Sequence, residues 1–173
     1  MNKTEFLENL ARERAVWLGL IGGLSAEQLE APQAVGRWSP RDVLAHVAIW
    51  LRWAAGQAAA IGRGSLPADQ ELYGLDLPAG VRDADESAFN EWSVEQLRSR
   101  PLAEILALES QAYTDLAAAV QQLPKEVLAD PERPFASIPW KTDEPLWLIL
   151  ANNSIVHYQE HAEDLRGWLA AEQ

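Results

Sequence analysis

The stretch WSPRDVLAHVAIW, residues 38–50, carries the clearest helix start in the chain. Ser39 can accept hydrogen bonds from the free N–H groups of a first helical turn, Pro40 suits the first helical position, and Asp42 favours the positive end of the helix dipole. The apolar residues that follow recur at intervals of three and four, which predicts an amphipathic helix to about residue 61. His46 falls on the apolar stripe of this helix, so we expect its imidazole to face the protein interior.

The rest of the chain shows the same helical periodicity, and no segment alternates as a β-strand would. We predict four long helices, at residues 3–21, 40–61, 102–123 and from a capped acidic start at 142–145 to about 171. A short extra helix is expected at residues 83–97. A long connection rich in glycine and proline lies at residues 63–82, and a second one, rich in proline, lies at residues 124–141. The sequence therefore predicts an all-α four-helix bundle that forms one domain, residues 1–173, and a bundle interior is a usual place for a metal or cofactor.

Composition excludes several functions. The 14 basic and 26 acidic side chains give a formal net charge of −12, which repels polyanions and predicts no nucleic-acid partner. Cysteine is absent, which rules out a disulfide framework, a thiolate nucleophile and cysteine-ligated zinc. No run approaches the roughly 18 apolar residues of a membrane span, and the first residues lack the features of a secretory signal. We therefore expect a cytoplasmic protein without a membrane partner.

Two of the protein's three histidines lie in HYQEH, residues 157–161. Residues four apart on an α-helix are separated by about 40° and roughly 6 Å along the axis, so His157 and His161 share one face. That face carries the apolar stripe of the last helix, and we expect both rings to point into the interior together with His46. Three neutral imidazoles with an open fourth position form a catalytic type of metal site. The predicted metal ligands are His46, His157 and His161. Imidazole suits zinc, nickel, copper or iron, and zinc or nickel is the divalent metal that we expect first.

Two other interpretations of the histidines remain open. Each ring could be a hydrogen-bonded core residue, although three buried imidazoles then need partners for all their ring nitrogens. HYQEH also has the His-x-x-Glu-His spacing of a group of metalloproteases, in which Glu160 would be the general base. Glu160 is predicted to point away from the apolar stripe, and this interpretation leaves His46 unused.

Three polar side chains are candidates for orienting the rings by hydrogen bonds. Asp42 lies one turn before His46, and Asn153 and Asp164 lie near the pair in the last helix. Asp42 could equally do no more than stabilise the start of its own helix.

Two segments resemble the DinB-like (DinB/YfiT-type) superfamily of four-helix bundles: Gly36–Trp50, with its single histidine, and Asn153–Trp168, with its His-x-x-x-His pair. The resemblance covers most of the chain, and the second helix is similar to the DfsB-like branch that includes colibactin self-resistance proteins. It implies an up-up-down-down bundle in which a divalent metal is held at His46, His157 and His161. It also implies homodimers, and activities that include thiol-dependent transfer or isomerisation with bacillithiol or mycothiol, and hydrolysis of reactive electrophiles.

The leading hypothesis is a metal-dependent enzyme, a thiol S-transferase or a hydrolase. A divalent cation bound by the three histidines would activate a low-molecular-weight thiol cofactor or water for attack on an electrophilic small-molecule substrate. The alternative is a non-enzymatic bundle that binds or sequesters a small molecule in a tryptophan-lined interior, with or without a structural metal. A third hypothesis is a structural, dimerising bundle with hydrogen-bonded core histidines. No catalytic or cofactor-binding residue is assigned beyond the metal ligands.

Overall fold

The computed structural model describes residues 1–65, 68–82, 85–129 and 144–171, and that part of the chain is helical with no β-strand. Its α-helices are α1 (Lys3–Gly23), α2 (Ala26–Glu30), α3 (Pro40–Arg63), α4 (Asp69–Tyr73), α5 (Ala79–Arg82), α6 (Glu86–Leu97), α7 (Leu102–Gln122), α8 (Lys125–Ala129), α9 (Leu146–Ala151) and α10 (His157–Ala171). A π-helical turn, Asn152–Val156, joins α9 to α10, and together they form the fourth long helix. Within the described ranges, no helix is long and apolar enough to cross a membrane.

Local sequence signals determine where the long helices begin and end. The Ser39 hydroxyl accepts from the Asp42 N–H at 3.1 Å, and the Asp42 carboxylate accepts from the Ser39 N–H at 3.2 Å, so the predicted cap of α3 is confirmed. Pro40 occupies the first helical position, as predicted. At the other end, Gly64 has a φ of 68°, a left-handed conformation that favours glycine and ends the helix. The predicted ends of α1, α3 and α7 agree with the structure within two residues.

The central helix of the bundle is α3. It packs against α7 along its length, and it also contacts α4, α6 and the fourth long helix. Because it has neighbours on several sides, positions on different faces, such as Val43 and Ala48, are fully buried. These contacts place His46 in the interior, where it is 4 % exposed, as its position on the apolar stripe predicted.

Contacts at the helix ends define the direction of each long helix. The Lys3 ammonium donates to the Gln121 carbonyl at 2.8 Å, so the start of α1 lies beside the end of α7. The Arg41 guanidinium donates to the Arg98 carbonyl at 2.9 Å, so α3 and α7 begin at the same end of the bundle and run parallel. α9 contacts α8, which follows the end of α7, and the fourth helix then runs back towards the start of α3. The order of directions is therefore up-down-down-up.

This order differs from the up-up-down-down order that the resemblance implied. Parallel α3 and α7 require the chain to return along the bundle between them, and residues 64–101 make that return. The predicted fold class, an all-α DinB-like four-helix bundle with a short extra helix, is confirmed. Only the order of directions is corrected.

Four short helices within the described residues were not expected from the sequence, namely α2, α4, α5 and α8. The connection predicted at residues 63–82 contains α4 and α5, and Leu72 and Tyr73 of α4 are 3 % and 6 % exposed. Helices of four or five residues are too short to show a clear 3.6-residue period, and packing on α3 stabilises α4 instead. α8 opens the connection predicted at residues 124–141. The remainder of that connection and the helix start predicted at residues 142 and 143 lie outside the described residues.

Candidate metal centre

Three histidine side chains from two helices meet inside the bundle. His46 comes from the second turn of α3, His157 opens α10, and His161 lies one turn further along. The Nε2 atoms of His46 and His157 are 2.8 Å apart, and one nitrogen from each of the three rings lies within 4.8 Å of the other two. His46, 111 residues before His157, thus forms one cluster with His157 and His161, as the helical stripes predicted.

The π-helical turn just before His157 determines where the two rings of α10 lie. Buried positions of the fourth helix recur every four residues through this turn, at Leu150, Ser154, Tyr158 and Ala162. A π-helical turn contains more residues than an α-helical turn. Residues spaced by four therefore stay on one face of the helix. Tyr158 takes the fully buried position, whereas His157 and His161 are partly exposed. The prediction that both rings point into the apolar core is therefore corrected: they lie at its edge and face His46.

Burial keeps the three imidazoles neutral. It lowers the pKa of His46 from 6.5 to about 2, and the neighbouring rings of His157 and His161 add to this shift. It lowers the pKa of His157 to about 3, with His161 adding to the shift and a backbone hydrogen bond with Asn152 opposing it. Burial also lowers the pKa of His161, and the hydrogen bond with Asp164 opposes that shift. At neutral pH each ring therefore keeps a lone pair that can bind a cation.

Two of the three rings have a hydrogen-bond partner on the side away from the cluster. Nδ1 of His161 donates to Oδ2 of Asp164 at 3.0 Å, because a carboxylate can only accept, and His157 hydrogen-bonds to the backbone of Asn152. With its proton on the far nitrogen, a histidine presents a lone pair to the cluster. Asp164 thus has the orienting position predicted for it. Nδ1 of His46 is buried and has no partner in the described part of the chain.

The other acids and amides singled out in the sequence contact different groups. Asp42 caps α3 and lies 3.4 Å from Nε of Arg98, which supports its interpretation as a helix-start residue. The Asn153 amide donates to the Ile149 carbonyl at 2.8 Å. Glu160 is exposed, as predicted, and so the metalloprotease interpretation of HYQEH gains no support.

Tryptophan side chains line the histidine cluster. The ring centroid of Trp38 is 4.9 Å from that of His46, and the centroid of Trp50 is 6.5 Å from His46 and 6.4 Å from His157. The indole N–H of Trp50 donates to Asn90 Oδ1 at 2.8 Å, which fixes that ring against α6. The cluster therefore lies beside flat apolar surfaces that suit an apolar or aromatic small molecule.

A buried polar network lies next to the cluster, and the sequence analysis missed it. Glu109 of α7 is fully buried, and its carboxylate accepts two hydrogen bonds from the Arg14 guanidinium, both at 2.9 Å. It also accepts from the hydroxyl of Tyr158, the residue after His157. The sequence did contain a signal, because Glu109 interrupts the apolar stripe of α7 and a buried acid needs a partner.

The donor set fits a divalent transition metal. Three neutral imidazole nitrogens suit zinc, nickel, copper or iron, and three protein ligands leave a position for a further ligand. The hydrogen bonds to Asp164 and Asn152 are of the kind that orients metal-bound histidines. The arrangement can therefore hold a cation and present it to a small molecule, and metal binding itself remains a prediction.

The helical bundle and its histidine cluster together define the class, a DinB-like helical bundle, as the sequence predicted. The chain belongs to the mycothiol maleylpyruvate isomerase N-terminal domain family, whose model matches residues 10–147. The matched range includes His46 and ends before α10. A comparison with curated proteins found no match.

Solved structures of low sequence identity share the fold. The sibling lethal factor precursor DfsB is 16% identical, with a TM-score of 0.73 over 100% of this chain and 98% of that chain. The colibactin self-resistance protein ClbS, solved in complex with a dsDNA, is 10% identical, with a TM-score of 0.72 over 97% of this chain and 95% of that chain. A protein from Streptococcus pneumoniae is 16% identical, with a TM-score of 0.76 over 98% of this chain and 91% of that chain.

Proposed function

We propose that the chain is a metal-dependent enzyme in which a divalent cation at His46, His157 and His161 activates a thiol cofactor or water for attack on an electrophilic small molecule. The observation that carries this proposal is the convergence of three ring nitrogens within 4.8 Å. A bound cation supplies a Lewis acid that lowers the pKa of a thiol or a water in the open position. The family description names mycothiol, which supports a thiol as cofactor. Attack by a thiol makes the protein an S-transferase, and attack by water makes it a hydrolase.

The residues around the cluster have separate roles in this proposal. The histidines bind the cation through neutral nitrogens, and Asp164 fixes the orientation of the His161 ring by its hydrogen bond. Trp38 and Trp50 offer the substrate an apolar surface and exclude water from their side of the cluster. Because these surroundings are apolar, charge interactions in the site are stronger than they would be in water.

Metal analysis tests the first half of the proposal. Protein purified without a polyhistidine tag is expected to bind about one zinc or nickel ion per chain. His157→Ala is expected to lower the metal affinity at least about 100-fold, because it removes one of three ligands. Elemental analysis after dialysis and competition with a chromophoric chelator measure both quantities. Asn153→Ala is the matched control, since Asn153 lies on the same long helix and its amide bonds to the Ile149 carbonyl. Stoichiometric metal in the His157→Ala variant would rule out the site.

An activity assay tests the second half. The metal-loaded protein is incubated with a dinitrophenyl halide as generic electrophile, with mycothiol, bacillithiol, glutathione or cysteine, and without any thiol. At least one of these nucleophiles is expected to support metal-dependent turnover, with a rate at least about 100-fold lower in the metal-free His157→Ala variant. No metal-dependent turnover with any thiol or with water would contradict the enzymatic proposal.

The tryptophan-lined cluster favours one second candidate, a non-enzymatic bundle that sequesters a small hydrophobic molecule, with or without a structural metal. The chemical state of the bound molecule distinguishes the two candidates. A sequestering protein releases its ligand unchanged after incubation, whereas an enzyme releases a thiol adduct or a hydrolysis product.

The proposal also covers the domain organisation, the oligomeric state, the location and the partners of the protein. We expect residues 1–173 to form a single domain, the protein to be a homodimer in the cytoplasm, and its ligand to be a small molecule. The similar structure of ClbS contains a dsDNA. For this chain, the formal net charge of −12 opposes binding to a polyanion, so we keep the prediction of no nucleic-acid partner.

A further inference from the structure

We propose that the indole N–H of Trp38 donates a hydrogen bond to the ligand that enters the three-histidine cluster. Trp38 is then a specificity-determining residue that favours ligands with an oxygen or nitrogen acceptor next to the reacting atom. This inference rests on the proposed function, because it concerns the ligand of the same site.

Trp38 lies at the open edge of the cluster. Its ring centroid is 4.9 Å from that of His46, with the two planes inclined by 44°. Trp38 is partly exposed, and so are His157 and His161, whereas Trp50 on the inner side is 2 % exposed. Trp38 therefore shares with His157 and His161 a position that is partly open to solvent, and it contacts the cluster there.

The indole N–H of Trp38 has no acceptor among the described residues, although its nitrogen is closed off from water. A buried donor without a partner is unfavourable, and proteins retain such groups where a ligand uses them. Trp38 thus carries an unused donor on a ring that contacts His46, and an acceptor on the ligand would satisfy it.

The backbone holds Trp38 in place before any ligand arrives. Its N–H donates to the Val35 carbonyl at 3.0 Å, and its carbonyl accepts from the Ala34 N–H at 2.9 Å. Gly36 completes this tight turn with a φ of 59°, in the left-handed region that favours glycine. Ser39, the next residue, caps α3. The ring is therefore attached to a fixed turn, and a ligand gains the hydrogen bond without first ordering a loop.

Two other tryptophans show why this role falls to Trp38. Trp50 contacts the same histidine rings, but its indole N–H donates to Asn90 Oδ1 at 2.8 Å. Trp17 also has an unpartnered N–H within the described residues, but it is fully buried against Tyr158 on the core side of α10. Trp38 combines a position beside the cluster, partial exposure and an unused donor.

Azide binding to the Co²⁺-loaded protein tests this role, with the ligand-field absorption of Co²⁺ as readout. Trp38→Phe keeps an aromatic ring and removes the N–H, and it is expected to weaken azide binding about tenfold while the Co²⁺ affinity stays within about twofold. Trp17→Phe is the matched control, because it removes an indole N–H that also lacks a partner among the described residues but lies on the core side of α10, and its azide affinity is expected to equal that of the wild type.

A second measurement needs no variant. In the Zn²⁺-loaded wild-type protein labelled with ¹⁵N at the indole nitrogens, azide is expected to shift the Trp38 N–H resonance downfield and to leave that of Trp17, on the core side of α10, in place. Unchanged azide affinity in a folded Trp38→Phe protein overturns the inference, as does an unshifted Trp38 resonance in protein that binds azide. A wild-type protein that binds Co²⁺ but no azide also overturns it. Failure of the wild type to bind Co²⁺ overturns the proposed function itself, so the two failures are distinguishable.

Discussion

Glu109→Ala is expected to lower the free energy of unfolding by about 3 kcal/mol or more. The Glu109 carboxylate is fully buried and accepts hydrogen bonds from Arg14 and from Tyr158, so it connects α1, α7 and α10. Without it, a guanidinium whose side chain is only 20% exposed loses its counter-charge, and the buried Tyr158 hydroxyl loses its acceptor. Removing one member of a buried ion pair costs more than the pair contributes, because the remaining charge stays away from water.

Urea unfolding followed by circular dichroism measures this loss. The matched control is Glu104→Ala, which removes an exposed glutamate from the same helix and is expected to change the free energy of unfolding by no more than about 0.5 kcal/mol. Glu109→Gln keeps the shape and one acceptor oxygen, and we expect it to lie between these two variants. A Glu109→Ala protein within about 1 kcal/mol of the wild type would show that the network contributes little to the fold.

Zinc is expected to stabilise the wild-type protein, and His46→Ala is expected to abolish that stabilisation. A ligand that binds only the folded state stabilises it by about 2.7 kcal/mol when its free concentration is roughly 100 times Kd. The cluster needs α3 and α10 to be packed together, because one nitrogen from each of three rings must converge within 4.8 Å. For a chain of this size we therefore expect zinc to raise the Tm by roughly 5–10 °C.

Each variant is compared with its own metal-free form, so that any loss of packing in His46→Ala cancels from the comparison. Glu160→Gln serves as control, because Glu160 is exposed and should keep the full zinc-dependent shift. A wild-type Tm that does not respond to zinc, or a His46→Ala protein that responds as strongly as the wild type, contradicts the predicted ligand set. Loss of the shift in Glu160→Gln would also contradict the predicted ligand set, because zinc binding would then depend on an exposed glutamate outside it.

The helices of the bundle were predictable because their signals are local. Ser39, Pro40 and Asp42 specify the start of α3 within one turn, and apolar residues at intervals of three and four mark its buried face. The same periodicity placed His46 in the interior and put His157 and His161 on one face. The cluster of three rings could then be predicted from the geometry of an α-helix and from the expected packing of the helices in a bundle.

The polar network was harder to predict, because its members are far apart in the sequence. Glu109 could be recognised as an acid on an apolar stripe, but its partners come from α1 and α10. A side chain's partners depend on which helices become neighbours, and neither capping nor periodicity contains that information. The unused indole N–H of Trp38 is of the same kind, since it is identified only when every nearby acceptor is known.

The amino-acid sequence by itself determined the long helices, their amphipathic faces and the spacing that lets His157 and His161 act together, because these depend on residues within a few turns of one another. Tertiary structure alone decided the up-down-down-up order, the π-helical turn before His157 and the position of the two rings at the edge of the core. The π-turn depends on tertiary packing, because it lets Tyr158 take the buried position against Glu109 while its neighbour His157 faces His46. α10 packs against two helices at once, and this packing decides which of its side chains are buried. The sequence of α10 alone could not specify that choice.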